Sequence, residues 1–193
     1  MGTYGDGRIN RLAQSMKRAR IDPATSGCIL EGAEEIGNDA GAGAVASWMR
    51  GAMERMDAIL DEGTRYAVRQ GCACCLGGKR RTQARAIAAS GATLEERLHA
   101  IDETHMCYFQ GVRMLEDGRI RVSYFPEGWD HYPCPCLREA QEPLSITYCY
   151  CCGGHVKHHM ETALERALEV EVISSSLSSG GKQPCVFALR ILG

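Results

Sequence analysis

The sequence predicts an α+β fold in which N-terminal helices pack on a C-terminal antiparallel sheet with one embedded helix. Three observations carry this. Apolar residues recur at helical spacing between Val45 and Leu60. Thr93-Leu94-Glu95-Glu96 is a capping box, the signature of a further helix start. Beyond residue 105 the pattern changes to β-branched and aromatic runs separated by turn residues. Helices first and strands afterwards is the order of an α+β domain. We read residues 1–37 as an N-terminal helical extension and 38–193 as a single α+β domain. Its helical part is 38–104 and its sheet part 105–193.

Taken in order, residues 1–27 read as a helix of weak periodicity, closed by Asp22-Pro23 and Ser26-Gly27, with a covering role. Val45, Trp48, Met49, Ala52, Met53, Met56, Ile59 and Leu60 oppose Arg50, Glu54, Arg55 and Asp57, which predicts a long amphipathic helix broken near Gly63. Gly71 to Gly78 encloses Cys72, Cys74 and Cys75 and interrupts the helical run. Lys79-Arg80-Arg81 open another helix to about Ala89, and their charge reads as a solvated face. The capping box starts a short helix through about Glu103. Met106–Met114 and Arg119–Phe125 read as strands joined by a Glu116-Asp117-Gly118 hairpin turn. A loop from Pro126 to Pro143 follows. A third strand is expected over Leu144–Tyr150, running through a Gly153-Gly154 turn into a helix of about Gly154 to Leu168. Leu168, Val170 and Val172 alternate with Glu169 and Glu171, which predicts a half-buried strand. Ser175–Gln183 is a polar loop, and Val186–Leu192 closes the sheet.

Composition narrows the function classes. The net charge is −2, with 24% charged and 45% hydrophobic residues, which is globular and argues against nucleic acid as a partner. No run approaches the roughly 18 apolar residues of a membrane span, so no membrane association is expected. Met1 to Arg20 is polar and basic without an apolar core, so we read no secretory signal there. Eleven cysteines, an odd number, fit reduced thiols in a cytoplasmic protein better than a disulfide framework. A homodimer is compatible with this composition.

Cys28, Cys107 and Cys185 stand alone, and Cys28 and Cys107 read as small core residues. The others cluster as Cys72, Cys74 and Cys75; Cys134 and Cys136; Cys149, Cys151 and Cys152. Cys134-Pro135-Cys136 and Cys149-Tyr150-Cys151 are both Cys-x-Cys. On extended backbone alternate residues point the same way, so the two pairs can offer four thiolates to one ion. Zinc is the default occupant and an iron–sulfur cluster the alternative. Cys72 and Cys75 can complete that site or form a second one. Cys151, His155 and His159 are four apart and can share a helix face. His155 is a candidate ligand or general base, while His158 and His159 read as solvated surface. Cys152 is a candidate reactive thiol at a helix start.

Tyr148-Cys149-Tyr150-Cys151-Cys152-Gly153-Gly154, Glu161, Leu168-Glu169-Val170-Glu171-Val172 and Cys185-Val186-Phe187-Ala188-Leu189 carry a resemblance, as do Trp48 to Asp57, Cys72-Ala73-Cys74-Cys75 and Cys134-Pro135-Cys136. Together they resemble an uncharacterised prokaryotic cysteine-rich family associated with L-2-amino-thiazoline-4-carboxylic acid hydrolase-like proteins. More distantly the chain is similar to 4-vinyl-reductase-type ligand-binding domains. The resemblance implies a pocket between helices and an antiparallel sheet. It also implies zinc held by cysteines and a C-terminal glutamate, at the positions of Cys151, Glu171 and Cys185. Three functions follow as expectations. One is a cysteine-ligated metalloprotein with a small-molecule pocket, hydrolysing a small C–N or C–S substrate. The others are a thiol-based redox enzyme using Cys151-Cys152 or Cys74-Cys75, and a non-enzymatic small-molecule sensor.

Overall fold

The protein is described by a computed structural model over residues 4–192. Helices come first and strands last. α1 (Gly7–Arg18) and α2 (Pro23–Ile29) start at Asp6 and Asp22, whose carboxylates accept first-turn amides. Ile9, Leu12 and Met16 of α1 are fully buried, and Ser15 donates a 2.6 Å hydrogen bond to the Val68 carbonyl. The N-terminal helix therefore supplies core side chains and does more than cover. α3 (Ala42–Ile59) buries Val45, Met49, Met53 and Met56, the stripe read from the sequence. Each such side chain contributes roughly 1.5–3 kcal/mol by leaving water. The break falls at Leu60, where the backbone is extended, and Asp61 caps α4 (Glu62–Gln70). It comes before Gly63 because the Asp61 cap, not the glycine, sets the boundary. α5 (Gly78–Ala88) and α6 (Leu94–Glu103) follow, and both bonds of the Thr93/Glu96 capping box are made. Among the described residues no helix is long and apolar enough to cross a membrane.

Four strands form one antiparallel sheet in the order β1-β2-β4-β3, with β1 (Gln110–Met114), β2 (Ile120–Ser123), β3 (Leu168–Ser174) and β4 (Val186–Ile191). Gly118, at φ +79°, makes the β1–β2 turn that the sequence marks. β1 starts later than expected, because Met106–Tyr108 forms a 3-10 turn. Leu168, Val170 and Val172 face inward while Glu169 and Glu171 face solvent.

The third strand expected over Leu144–Tyr150 does not exist. Ile146–Cys149 is a 3-10 turn, with the Ser145 hydroxyl accepting the Thr147 amide. It runs directly into α7 (Tyr150–Leu164), so the helix begins four residues before the expected start at Gly154. The alternation of Tyr148 and Tyr150 with cysteines misled because Tyr148, Cys149 and Tyr150 are all buried. A segment covered on every side has no inside–outside period to read.

α7 is the centre of the molecule. It packs on α4, α5 and α6 on one side and on β3 on the other. The Gly153-Gly154 pair is no turn; it lies inside the helix where two neighbours press closest. A Cβ on Gly154 would stand 2.3 Å from the Gln70 carbonyl oxygen, and one on Gly153 would touch Val172 at 3.5 Å. Glycine is used here for close approach of backbones.

Candidate functional site

Burying α7 on both sides puts its histidines inside. His159 is fully buried and His155 nearly so, and their ring centres are 4.6 Å apart. His159 is thus not the solvated surface residue the sequence suggests, because the helix bearing it has almost no outer face. The Cys74-Cys75 turn, with Cys75 at φ +60°, aims two carbonyls at these rings. His155 Nδ1–H donates to Cys74 O at 2.9 Å, and His159 Nε2–H donates to Cys75 O at 3.1 Å. A carbonyl only accepts, so these bonds fix both tautomers. His155 Nε2 and His159 Nδ1 are left as bare lone pairs. His159 Nδ1 is buried and has no hydrogen-bond partner.

Cys107 completes the group. One donor atom each from Cys107, His155 and His159 lies within 4.8 Å of the others. Cys107 reaches this place on strained backbone, with His105, Cys107 and Tyr108 at φ +44°, +57° and +67°. Such conformations cost on the order of 1–3 kcal/mol each and persist where the surroundings demand them. Burial, with the neighbouring His155, holds the His159 imidazole down to about 4, and burial lowers His155 as well. Both rings are therefore neutral near pH 7, the form that binds metals. Burial pushes the Cys107 thiol up to about 11. A cation would reverse that, since a coordinating thiol is deprotonated outright. A thiolate and two imidazoles, each imidazole oriented by a second hydrogen bond, are a donor set that fits zinc.

Cys107 and His155 open onto a cleft of about 1370 Å³ between the helices, the sheet edge and the Pro126–Pro143 loop. Its wall also carries Cys72, Cys74 and Cys75, from the turn between α4 and α5, and Cys134, Cys136, Cys151 and Cys152. Tyr108, Trp129 and Tyr132 supply aromatic surface, with Tyr108 69% exposed at the rim. Arg8, Arg11, Arg69 and Arg80 make the lining cationic. All eleven cysteines are free thiols.

The remaining sequence candidates fall into three places. Cys134, Cys136, Cys151 and Cys152 all line the cleft, and Cys136 and Cys152 Sγ are 3.3 Å apart. Cys149 does not join them. Placed on the 3-10 turn instead of a strand, it turns away and donates to Ser175 Oγ at 3.0 Å. Cys185 contacts Ser176 Oγ at 3.3 Å. Glu171 projects from the outer face of β3 and pairs with Arg119 at 2.9 Å, on the side away from α7. Cys151, Glu171 and Cys185 are therefore not assembled into one site. Cys72 is buried against the Val68 carbonyl, and Cys75 is exposed at the turn. Sequence reasoning missed Cys107 and His159. The four-residue spacing of His155 and His159 was a usable signal; nothing around Cys107 in the sequence marks it.

Residues 15–191 match the model of a family described as "Family of unknown function (DUF6144)". No curated protein and no solved structure matches the chain.

Proposed function

The chain belongs to this family of unknown function, and we propose that it is a zinc-dependent protein acting on a small molecule, its ion held by Cys107, His155 and His159. The observation that carries this reading is the bare, buried Nδ1 of His159, with the other two donors beside it. An uncompensated buried nitrogen costs about 1–3 kcal/mol, and a ligated ion removes that cost. Three protein ligands are the number found at catalytic zinc sites, which keep a position open. Cys107 and His155 both line the cleft, so an ion held by them would be within reach of a ligand bound there.

When bound, zinc supplies Lewis acidity and a water of lowered pKa, which suits hydrolysis of a small C–N or C–S substrate. The chain's own residues do the rest. The Cys74 and Cys75 carbonyls hold the imidazoles in register. Tyr108, Trp129 and Tyr132 offer flat apolar surface to a ligand. As a ligand, His155 is not free to serve as the general base. Eleven free thiols suit a reducing compartment, and we infer the cytoplasm.

The test is metal analysis of untagged protein beside its variants. About one zinc per chain, lost in both Cys107→Ser and His159→Ala and kept in Cys149→Ser, supports the reading. Retention of that zinc by folded His159→Ala overturns it.

A further inference from the structure

Among the described residues, one hydrogen bond runs from sulfur to sulfur. Cys136 and Cys152 Sγ are 3.3 Å apart, and both residues line the cleft. Neighbouring thiols are engaged elsewhere. Cys134 Sγ accepts the Leu137 amide at 3.3 Å, Cys149 donates to Ser175 Oγ, and Cys185 contacts Ser176 Oγ. Cys151 precedes Cys152 on α7, and successive side chains of a helix do not face each other. Cys136 is therefore the partner within reach of Cys152.

The two thiols stand on different kinds of backbone. Cys152 lies in the first turn of α7, while Cys136 lies on the Pro126–Pro143 loop, which contains no helix or strand. Arg8 Nη2 donates to the Cys136 carbonyl at 3.3 Å and anchors the loop to α1 at this point. A disulfide bond is about 2.05 Å long, so the sulfurs need to close by roughly 1 Å. The loop can supply that shift while α7 stays in place. Cys136 is partly exposed and Cys152 is buried, so an incoming reagent meets Cys136 first.

We propose that Cys136 and Cys152 are a thiol–disulfide exchange centre whose co-substrate is a low-molecular-weight disulfide. The Cys136 thiolate attacks one sulfur of that disulfide and breaks its S–S bond. One half leaves as a thiolate and takes up the proton that Cys136 gave up. The Cys152 thiolate then attacks the Cys136 sulfur of the mixed disulfide. The Cys136–Cys152 bond forms, and the second half leaves and takes up the proton from Cys152. The protein loses two electrons and two protons, and the reagent becomes two thiols. Excess small thiol drives the same steps backwards, as a transient disulfide in a reducing compartment requires. The bond ties the loop bearing Trp129 and Tyr132 to the helix bearing His155 and His159. Neither cysteine belongs to the Cys107, His155 and His159 group, so this centre stands or falls separately from the zinc reading.

The experiment equilibrates reduced full-length protein, under native conditions, with an excess of oxidised glutathione. The reaction is quenched in acid, and the cysteines are mapped by alkylation and peptide mass spectrometry. In the wild type we expect a Cys136–Cys152 disulfide in most chains, reversed by dithiothreitol. In Cys152→Ser the reaction should stop at the glutathione adduct of Cys136. That adduct should outlast its wild-type counterpart at least about 10-fold, because the second step has lost its neighbouring nucleophile. In Cys136→Ser, Cys152 should stay a free thiol. The wild-type map needs no variant to fold. Cys136 found there mainly as a thiol, mainly as the glutathione adduct, or bonded to any other cysteine overturns the proposal.

Discussion

Gly154 on α7 and Gln70 at the end of α4 are so close that an added methyl group would stand 2.3 Å from the Gln70 carbonyl oxygen. That contact brings the Cys72–Cys75 turn, which follows α4 directly, over the helix that carries His155 and His159. Gly154→Ala must push backbone, not a flexible side chain. We expect a loss of about 1–3 kcal/mol, read as a lower urea midpoint. Gly153→Ala meets only valine methyls at 3.5 Å and beyond. Its added contact and better helix propensity should leave stability within about 1 kcal/mol of wild type. Equal losses in the two variants would contradict the close approach.

Thr147 Oγ1 donates to Asp57 Oδ1 at 2.6 Å, tying the 3-10 turn before α7 to α3. Thr147→Val keeps the shape and removes the donor. It should cost about 1–3 kcal/mol, because Asp57 loses a buried partner. An unchanged thermal midpoint would show that Arg65, 3.2 Å from Asp57, suffices alone.

Thiol reactivity should follow exposure. Cys28, Cys74 and Cys75 are exposed, while Cys72, Cys107, Cys149, Cys152 and Cys185 are buried. Brief iodoacetamide treatment of native protein, mapped by peptide mass spectrometry, should label the first three well before the other five. Burial disfavours the thiolate, the reactive form, so the two effects act together. Early labelling of Cys149 or Cys185 would contradict their placement against Ser175 and Ser176.

Tyr150 stacks on Tyr66 at 3.7 Å, and burial pushes its phenol up to about 12. The folded state thus keeps a proton that the unfolded chain releases near pH ~10. Its contribution to stability is complete below pH ~10 and is lost as the pH rises through about 12. Tyr150→Phe should lose stability less steeply than wild type over that window in urea melts. Parallel losses would show that the phenol is not protected.

The sequence made the fold class legible, and most helix starts, because caps and periodicity are local. Thr93 acts where short-range chemistry places it; Asp22, read as closing a helix, caps α2 instead, and Asp61, which the sequence reading passes over, caps α4. Glu169 and Glu171 marked the open face of β3 just as clearly. The centre was harder. Tyr148 to His159 is buried apart from the partly exposed Cys151, Lys157 and His158, so neither period could be read there. Gly153-Gly154 looks like a turn unless the approach of Gln70 and Val172 is known. Cys107 enters the site through positive-φ backbone and through contacts with α7 that are remote in sequence. The presence of Cys134, Cys136 and Cys151 on one cleft wall could be anticipated from cysteine clustering. The exchange of Cys149 for Cys152 could not, because it follows from a helix where a strand was expected.

The most direct test is an anomalous difference map from crystals of untagged protein, recorded on both sides of the zinc edge. The account predicts a peak within bonding distance of Cys107 Sγ, His155 Nε2 and His159 Nδ1. An empty map at that point, with zinc elsewhere in the same crystal, would contradict it.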